Sequence, residues 1–215
     1  ADQGQAYSGI SGTYTFYQGT FGGSGGGGYA VNFGQRPFAY SAPSGFKALC
    51  TTNLPTPTIA DGSDYFETTL YTGNNGTQTI SGLDHSPDLV WLRKRNGGGS
   101  YQLYDTIRGT QKLLSCNYEG PENWAGGGSA LGELTAFTSD GFTLVNSGSY
   151  GSNESGGNYV AWTWEAASST ASNTDGNITS SVRANQTAGF SVVTYTGNGS
   201  TSGSVGHGLN ASPGM

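Results

Sequence analysis

Two glutamates three positions apart, Glu119 and Glu122, share a glycine-rich stretch with Trp124 in NYEGPENWAGGG (117–128). A carboxyl pair beside an aromatic ring supplies the parts of a glycosidase site: one acid, one base or nucleophile, and a plate on which a sugar stacks. A lectin-like site would use the same tryptophan and polar groups without hydrolysis. A surface loop whose tryptophan folds back on the core would use them for neither. Three-residue spacing in a loop leaves the distance between the two carboxyl groups open, and function favours loops held on rigid scaffolds.

A second grouping is cationic. WLRKR, YDTIRG and Lys112 bring Arg93, Lys94, Arg95, Arg108 and Lys112 into one short stretch, although the chain has only 8 Lys and Arg in all. Guanidinium forks suit the phosphate and carboxylate groups of bacterial surface glycans. A solvated strand end with an internal Asp105–Arg108 pair accounts for the same residues, and strand alternation would send Lys94 away from Arg93 and Arg95. Asp61, Asp64 and the NTDGN turn (173–177) offer oxygens of the kind calcium takes. Neither has EF-hand spacing, and Asx-turns explain both. His85 and His207 lie in matching turns but out of register, and two His and two Cys so widely separated build no zinc cluster. GGSGGGG (22–28) lacks the lysine and following helix of a phosphate loop, and no G-x-S-x-G elbow occurs. No cofactor or metal is expected.

Such side chains need a scaffold, and the composition indicates which kind. Of 215 residues, 38 are Gly and only 10% are charged, yet there are 13 Tyr, 9 Phe and 4 Trp. A disordered chain would carry more charge and fewer aromatics. Gly and Asn serve tight turns, while Thr, Val, Tyr, Phe and Trp suit a pleated surface, so an all-β protein is expected. The net charge of −6 and pI near 4.6 give none of the basic excess of a nucleic-acid binder. No apolar run reaches the length of a membrane-spanning helix. Cys50 and Cys116 are expected as unbonded thiols, consistent with assembly in a reducing cytoplasm.

Strand and turn signals then divide the chain. GTYTFYQGTF and YAVNFGQRPFAY within 1–45 read as the last strands of a preceding sandwich, and 46–64, with Pro55 and Pro57, as a linker. Residues 65–166 hold YFETTLYT, TQTI, DLVWLRKR, YQLYD, QKLLSCN, FTSDGFTLV and NYVAWTWEA, which at this spacing suggest one complete β-sandwich. Asp140-Gly141 is placed as a two-residue hairpin turn. In NYVAWTWEA, Val160, Trp162 and Trp164 share one face, expected to be the covered face of a central strand. Residues 167–187 read as a second linker.

From 188 the pattern restarts. FETTLYTGN (66–74) matches FSVVTYTGN (190–198), and GLDHSPDL (82–89) matches GLNASPGM (208–215). The chain is therefore expected to be a tandem array with a period of about 125 residues, 188–215 opening a second copy that continues past Met215.

The order VNFGQRPFAYSAPSGFKALCTTNLPTP, YTGNNGTQTISGLDHSPDLVWLRKR, YDTIRG, FTSDGFTL and YVAWTWEA resembles that of tail-fibre-like proteins of marine and cyanobacterial bacteriophages, over roughly residues 29–215. The resemblance implies jelly-roll or concanavalin-like sandwiches in tandem, placed in a virion tail appendage. It implies other tail proteins as partners, a homo-oligomer (a trimer by analogy) and contact with host-surface glycan. It supplies no catalytic residue. The function expected is structural and adhesive, with Trp124, Glu119, Glu122, Arg93 and Arg95 as candidate glycan contacts. A polysaccharide depolymerase and a purely structural spacer are the alternatives.

Overall fold

The alternation of NYVAWTW gives a strand with two different faces, and the structure decides which of them meets the core. The computed structural model of the protein describes residues 37, 41, 44–45, 47, 53–124, 132–146, 148 and 151–212. The chain divides into two units, Ala1–Pro55 and Thr56–Met215. The strands expected within 1–45, and Cys50, lie outside the described residues.

The second unit is built from β1 (Phe66–Thr72), β2 (Thr77–Ser81), β3 (Leu89–Lys94), β4 (Gln102–Asp105), β5 (Leu114–Ser115), β6 (Leu134–Thr138), β7 (Gly141–Val145), β8 (Asn158–Trp164), β9 (Ala171–Asn173), β10 (Ser180–Asn185) and β11 (Phe190–Tyr195). Three antiparallel sheets result, with strand orders β1-β8-β3-β4-β5, β2-β7-β6 and β11-β10-β9. The first two share one core, to which Tyr71, Val90, Leu92, Tyr104, Tyr159 and Ala161 contribute from one side and Ile80, Leu134, Phe142 and Leu144 from the other. This is a β-sandwich. Tyr71 stacks on Tyr159 with centroids 4.9 Å apart and meets Phe142 edge-on at 6.5 Å.

β8 is central, between β1 and β3. Its core face, however, is Tyr159, Ala161 and Thr163, all at most 1% exposed, whereas Trp162 and Trp164 are half-buried on the opposite face. The tyrosines win the interior because their hydroxyls find partners there. Tyr159 Oη donates to the Gly151 carbonyl at 2.8 Å, and Tyr71 Oη to that of Ser152 at 2.8 Å. The fully buried Glu133 receives the backbone N–H of Ser152 at 2.7 Å. An indole has one donor and a wide apolar body, which suits a half-covered face.

Two further expectations change. The β6–β7 register pairs Thr138 with Gly141, so the turn residues are Ser139 and Asp140 rather than Asp140 and Gly141. Gly141 is needed for another reason: a Cβ there would stand 1.9 Å from the Ile80 carbonyl oxygen of the neighbouring β2. Second, residues 167–187 are not merely a linker, since they carry β9 and β10. In SSVRAN only Ser180 and Val182 are buried. One apolar side chain on the covered face leaves almost no hydrophobic period to read. β11 pairs with β10 along its whole length, from Ser180↔Tyr195 to Asn185↔Phe190.

Burial pushes the phenol of Tyr71 well above the ordinary tyrosine range and raises that of Tyr159. Below about pH 10 both folded and unfolded chains keep these protons; above it the unfolded chain ionises first, so stability falls as pH rises. Far-ultraviolet circular dichroism in a urea series should show this loss setting in above about pH 10. Tyr71→Phe should reduce the alkaline loss, while costing about 1–3 kcal/mol at neutral pH by stranding the Ser152 carbonyl.

Candidate functional site

The five clustered cations separate once the strands form. Arg108 folds back on Asp105 (Nε–Oδ2 2.5 Å), the internal pair weighed from sequence, and donates to the carbonyls of Lys112 and Leu103 at 2.9 and 3.2 Å. Lys112 and Arg108 both reach Glu122, at 3.0 and 3.5 Å. Lys94 pairs with Glu154 at 2.5 Å, and that hydrogen bond raises its pKa. Arg93 and Arg95 are the members of the group that make no ion pair among the described residues; both are exposed. The Arg93 guanidinium lies 4.0 Å from the centroid of the Tyr101 ring, a cation–π contact that fixes its direction.

The Glu119–Trp124 loop is held by reciprocal bonds between Asn123 and Leu113: backbone N–H to carbonyl at 2.8 Å, and Leu113 N–H to Asn123 Oδ1 at 2.8 Å. Trp124 is 38% exposed. Its ring lies over Gly120, where an added Cβ would stand 2.3 Å from the indole. Glu119 is exposed, and Glu122 is engaged by the two cations. The loop therefore leaves the indole and Glu119 accessible, while Glu122 is taken up by two cations. Cys116 is a free, exposed thiol, its pKa raised by partial burial and drawn back by Arg108.

Asp61 accepts from Ser63 N at 3.0 Å and Ser63 Oγ at 2.7 Å, an Asx-turn whose hydrogen bonds lower its pKa. Asn173 closes the same kind of turn on Asp175 N at 2.9 Å. Among the described residues no group of three or more His, Cys, Asp or Glu is disposed to hold a metal.

Sequence reasoning missed a site on the other side of the molecule's chemistry. A cleft of about 770 Å³ is lined by residues of the 64–65 and 84–88 loops, Thr106, Phe137, the stretch after β8, and Arg183 and Asn185 of β10. At its base Asp88, 4% exposed, accepts from Thr106 Oγ1 at 2.7 Å, Ala166 N at 2.8 Å and Ala167 N at 2.9 Å, and forms a short contact with Arg183 Nη1. His85, 5% exposed, directs Nδ1 at the Ser63 carbonyl at 2.8 Å. His207, its near-counterpart in sequence, instead accepts from Leu209 N at 3.1 Å. A signal was available in the repeated motif: GLDHSPDL and GLNASPGM differ in kind at His85/Ala211 and Asp88/Gly214.

A family model, described as a domain of unknown function (DUF7483), matches residues 61–215. The chain belongs to the DUF7483 family. All the strands from β1 to β11 fall inside the match. No curated protein and no solved structure matches the chain.

In this DUF7483 domain the Asp88–Arg183 pair fastens the third sheet to the sandwich, with side chains only 6% and 14% exposed. Removing one member of such a pair leaves the other charge buried and uncompensated. Asp88→Ala should therefore lower stability in urea unfolding by about 3–5 kcal/mol, whereas Asp84→Asn, on the exposed rim, should stay within about 0.5 kcal/mol.

Proposed function

We propose that this DUF7483 protein is a non-enzymatic structural and adhesive component of a bacteriophage tail appendage, contacting host-surface glycans. The observation that carries the adhesive part is the pairing of guanidinium groups that make no ion pair among the described residues with accessible aromatics on and beside one strand. Arg93 is held over Tyr101, Arg95 is exposed just past the end of the strand, and Trp91 is 37% exposed on the same strand as Arg93. Guanidinium forks fit carboxylate and phosphate groups on bacterial glycans, and aromatic faces fit sugar rings.

A pure spacer would bury Trp124; its 38% exposure favours a contact role. A depolymerase would need two carboxyl groups about 5–10 Å apart across one cleft. Glu122 is instead engaged by Lys112 and Arg108, which favours the non-enzymatic reading. The placement in an appendage rests on the resemblance in motif order and on the repeated TGN motif. Weak contacts on each copy would sum through effective concentration when several chains are presented together, a homo-oligomer being the arrangement this mechanism requires.

Antibodies raised against the chain should label tail appendages of native virions in electron micrographs; labelling of heads alone, or none, would remove the proposed location. Protein displayed in many copies on beads should adsorb to host cells. Arg93→Ala with Arg95→Ala should weaken that adsorption about tenfold or more without changing thermal stability, each lost charged hydrogen bond being worth about 1.5–3 kcal/mol. Unchanged adsorption would remove these residues from the contact.

A further inference from the structure

β11 lies at the end of the third sheet: among the described residues it pairs with β10 alone. Edge strands are ordinarily blunted by charge, proline or a bulge, because their unpaired N–H and C=O groups template another strand. FSVVTY carries neither a charge nor a proline, and its register with β10 is unbroken. A groove of about 470 Å³ is lined by every residue of β11, from Phe190 to Tyr195. Residues on one face of a strand recur at every second position, so a groove touched by the whole run follows the strand's edge rather than one of its faces. Its other wall is the outer face of the five-stranded sheet, with Leu89, Leu103 and Leu114. The two charged residues in that wall, Asp105 and Arg108, are paired with each other.

The sequence repeat indicates what fits this edge. FSVVTYTGN (190–198) is a second copy of FETTLYTGN (66–74), and in the first copy β1 pairs with β8 along its whole length. Carried onto β11, that register sets the Trp164 position of a β8-type strand opposite Phe190, the Trp162 position opposite Val192 and the Tyr159 position opposite Tyr195. Aromatic–aromatic and aromatic–β-branched pairs of this kind stabilise antiparallel ladders. The two copies differ in what covers their tyrosine. Tyr71 stacks on Tyr159 and is 9% exposed, whereas its counterpart Tyr195 is 60% exposed.

We propose that the free edge of β11 is a docking site for one extended, uncharged polypeptide strand of the β8 pattern, NYVAWTW, supplied by another DUF7483 module. Main-chain hydrogen bonds give such a contact its strength, and the leucine-lined wall gives it its choice of side chains. β11 then serves two sheets at once, its own through β10 and the neighbour's through its other edge. The inference needs neither a virion location nor the Arg93 and Arg95 contacts.

The test uses the whole chain and synthetic peptides of residues 158–164, each with a short hydrophilic tail. Within β8, odd-numbered residues turn their backbone groups to β1 and even-numbered ones to β3. Glu165 N–H bonds the Tyr65 carbonyl at 2.9 Å, while the Asn158 and Trp164 carbonyls accept from Arg95 and Asp88 N–H, both at 2.7 Å. The parent peptide should bind saturably in calorimetry and slow hydrogen exchange at the amides of 190–195. N-methylation at Ala161 and Thr163, which removes N–H groups of the edge that faces β1, should weaken binding at least about tenfold through two lost hydrogen bonds. N-methylation at Val160 and Trp162, on the other edge, should leave binding close to that of the parent. Leu114→Lys, at an exposed position on the groove wall, should also weaken it. Absence of binding, equal loss from the two methylation patterns, exchange slowed elsewhere than at 190–195, or binding untouched by Leu114→Lys would overturn the proposal while leaving the adhesive reading to its own experiments.

Discussion

The carboxylate of Asp88 accepts from donors that arrive from three separate stretches of chain: the turn after β4, the exit of β8, and the middle of β10. Its own backbone N–H is bound to the Trp164 carbonyl at 2.7 Å, and its carbonyl receives Thr106 N–H at 3.0 Å. One buried side chain thus fixes where β3 begins, where the chain leaves β8, and where the third sheet is attached. A charge at this depth is tolerable only because every contact is a hydrogen bond and one partner is a cation. The cleft exists for the same reason: polar elements that converge on Asp88 cannot also close over it with apolar side chains.

The five-stranded sheet has two faces with different work. Its inner face is a tyrosine-rich core in which the hydroxyls of Tyr71 and Tyr159 terminate on the backbone carbonyls of Ser152 and Gly151, and Ser152 N–H in turn donates to Glu133. Its outer face carries Phe66, Trp91, Trp162 and Trp164, and is only partly covered, chiefly where Phe190 of β11 stacks on Trp164 at 5.9 Å. The part left open is where Arg93 and Trp91 meet solvent. Adhesion, on the proposed reading, uses the face the sandwich does not need for its core.

The strands of the sandwich were legible because their alternation is strong and their flanks are rich in turn residues; β3, β7 and β8 stand out in this way. Which face of β8 points inward was not, because hydrophobicity ranks Trp with the core formers, while the buried partners of Tyr71 and Tyr159 lie far away in sequence. β10 was invisible for a related reason: its docking depends on Val182 and on an ion pair between residues 95 positions apart. The candidate loop at Glu119–Trp124 was legible by residue type alone, and type could not show that Lys112 and Arg108 would engage Glu122. The Asp88–His85 cleft is assembled from single residues on many segments, so only the contrast with Gly214 and Ala211 marked it.

The division of aromatics between the two faces also makes the molecule its own optical instrument. Indoles emit at longer wavelengths than phenols absorb, and Trp91, Trp162 and Trp164 all sit on the outer face while Tyr71, Tyr104 and Tyr159 sit in the core. Trp164 lies between Phe66, at 4.9 Å, and Phe190, at 5.9 Å. Detachment of the third sheet would uncover that indole and redden its emission, so loosening at the attachment carries a spectral signature without any added label.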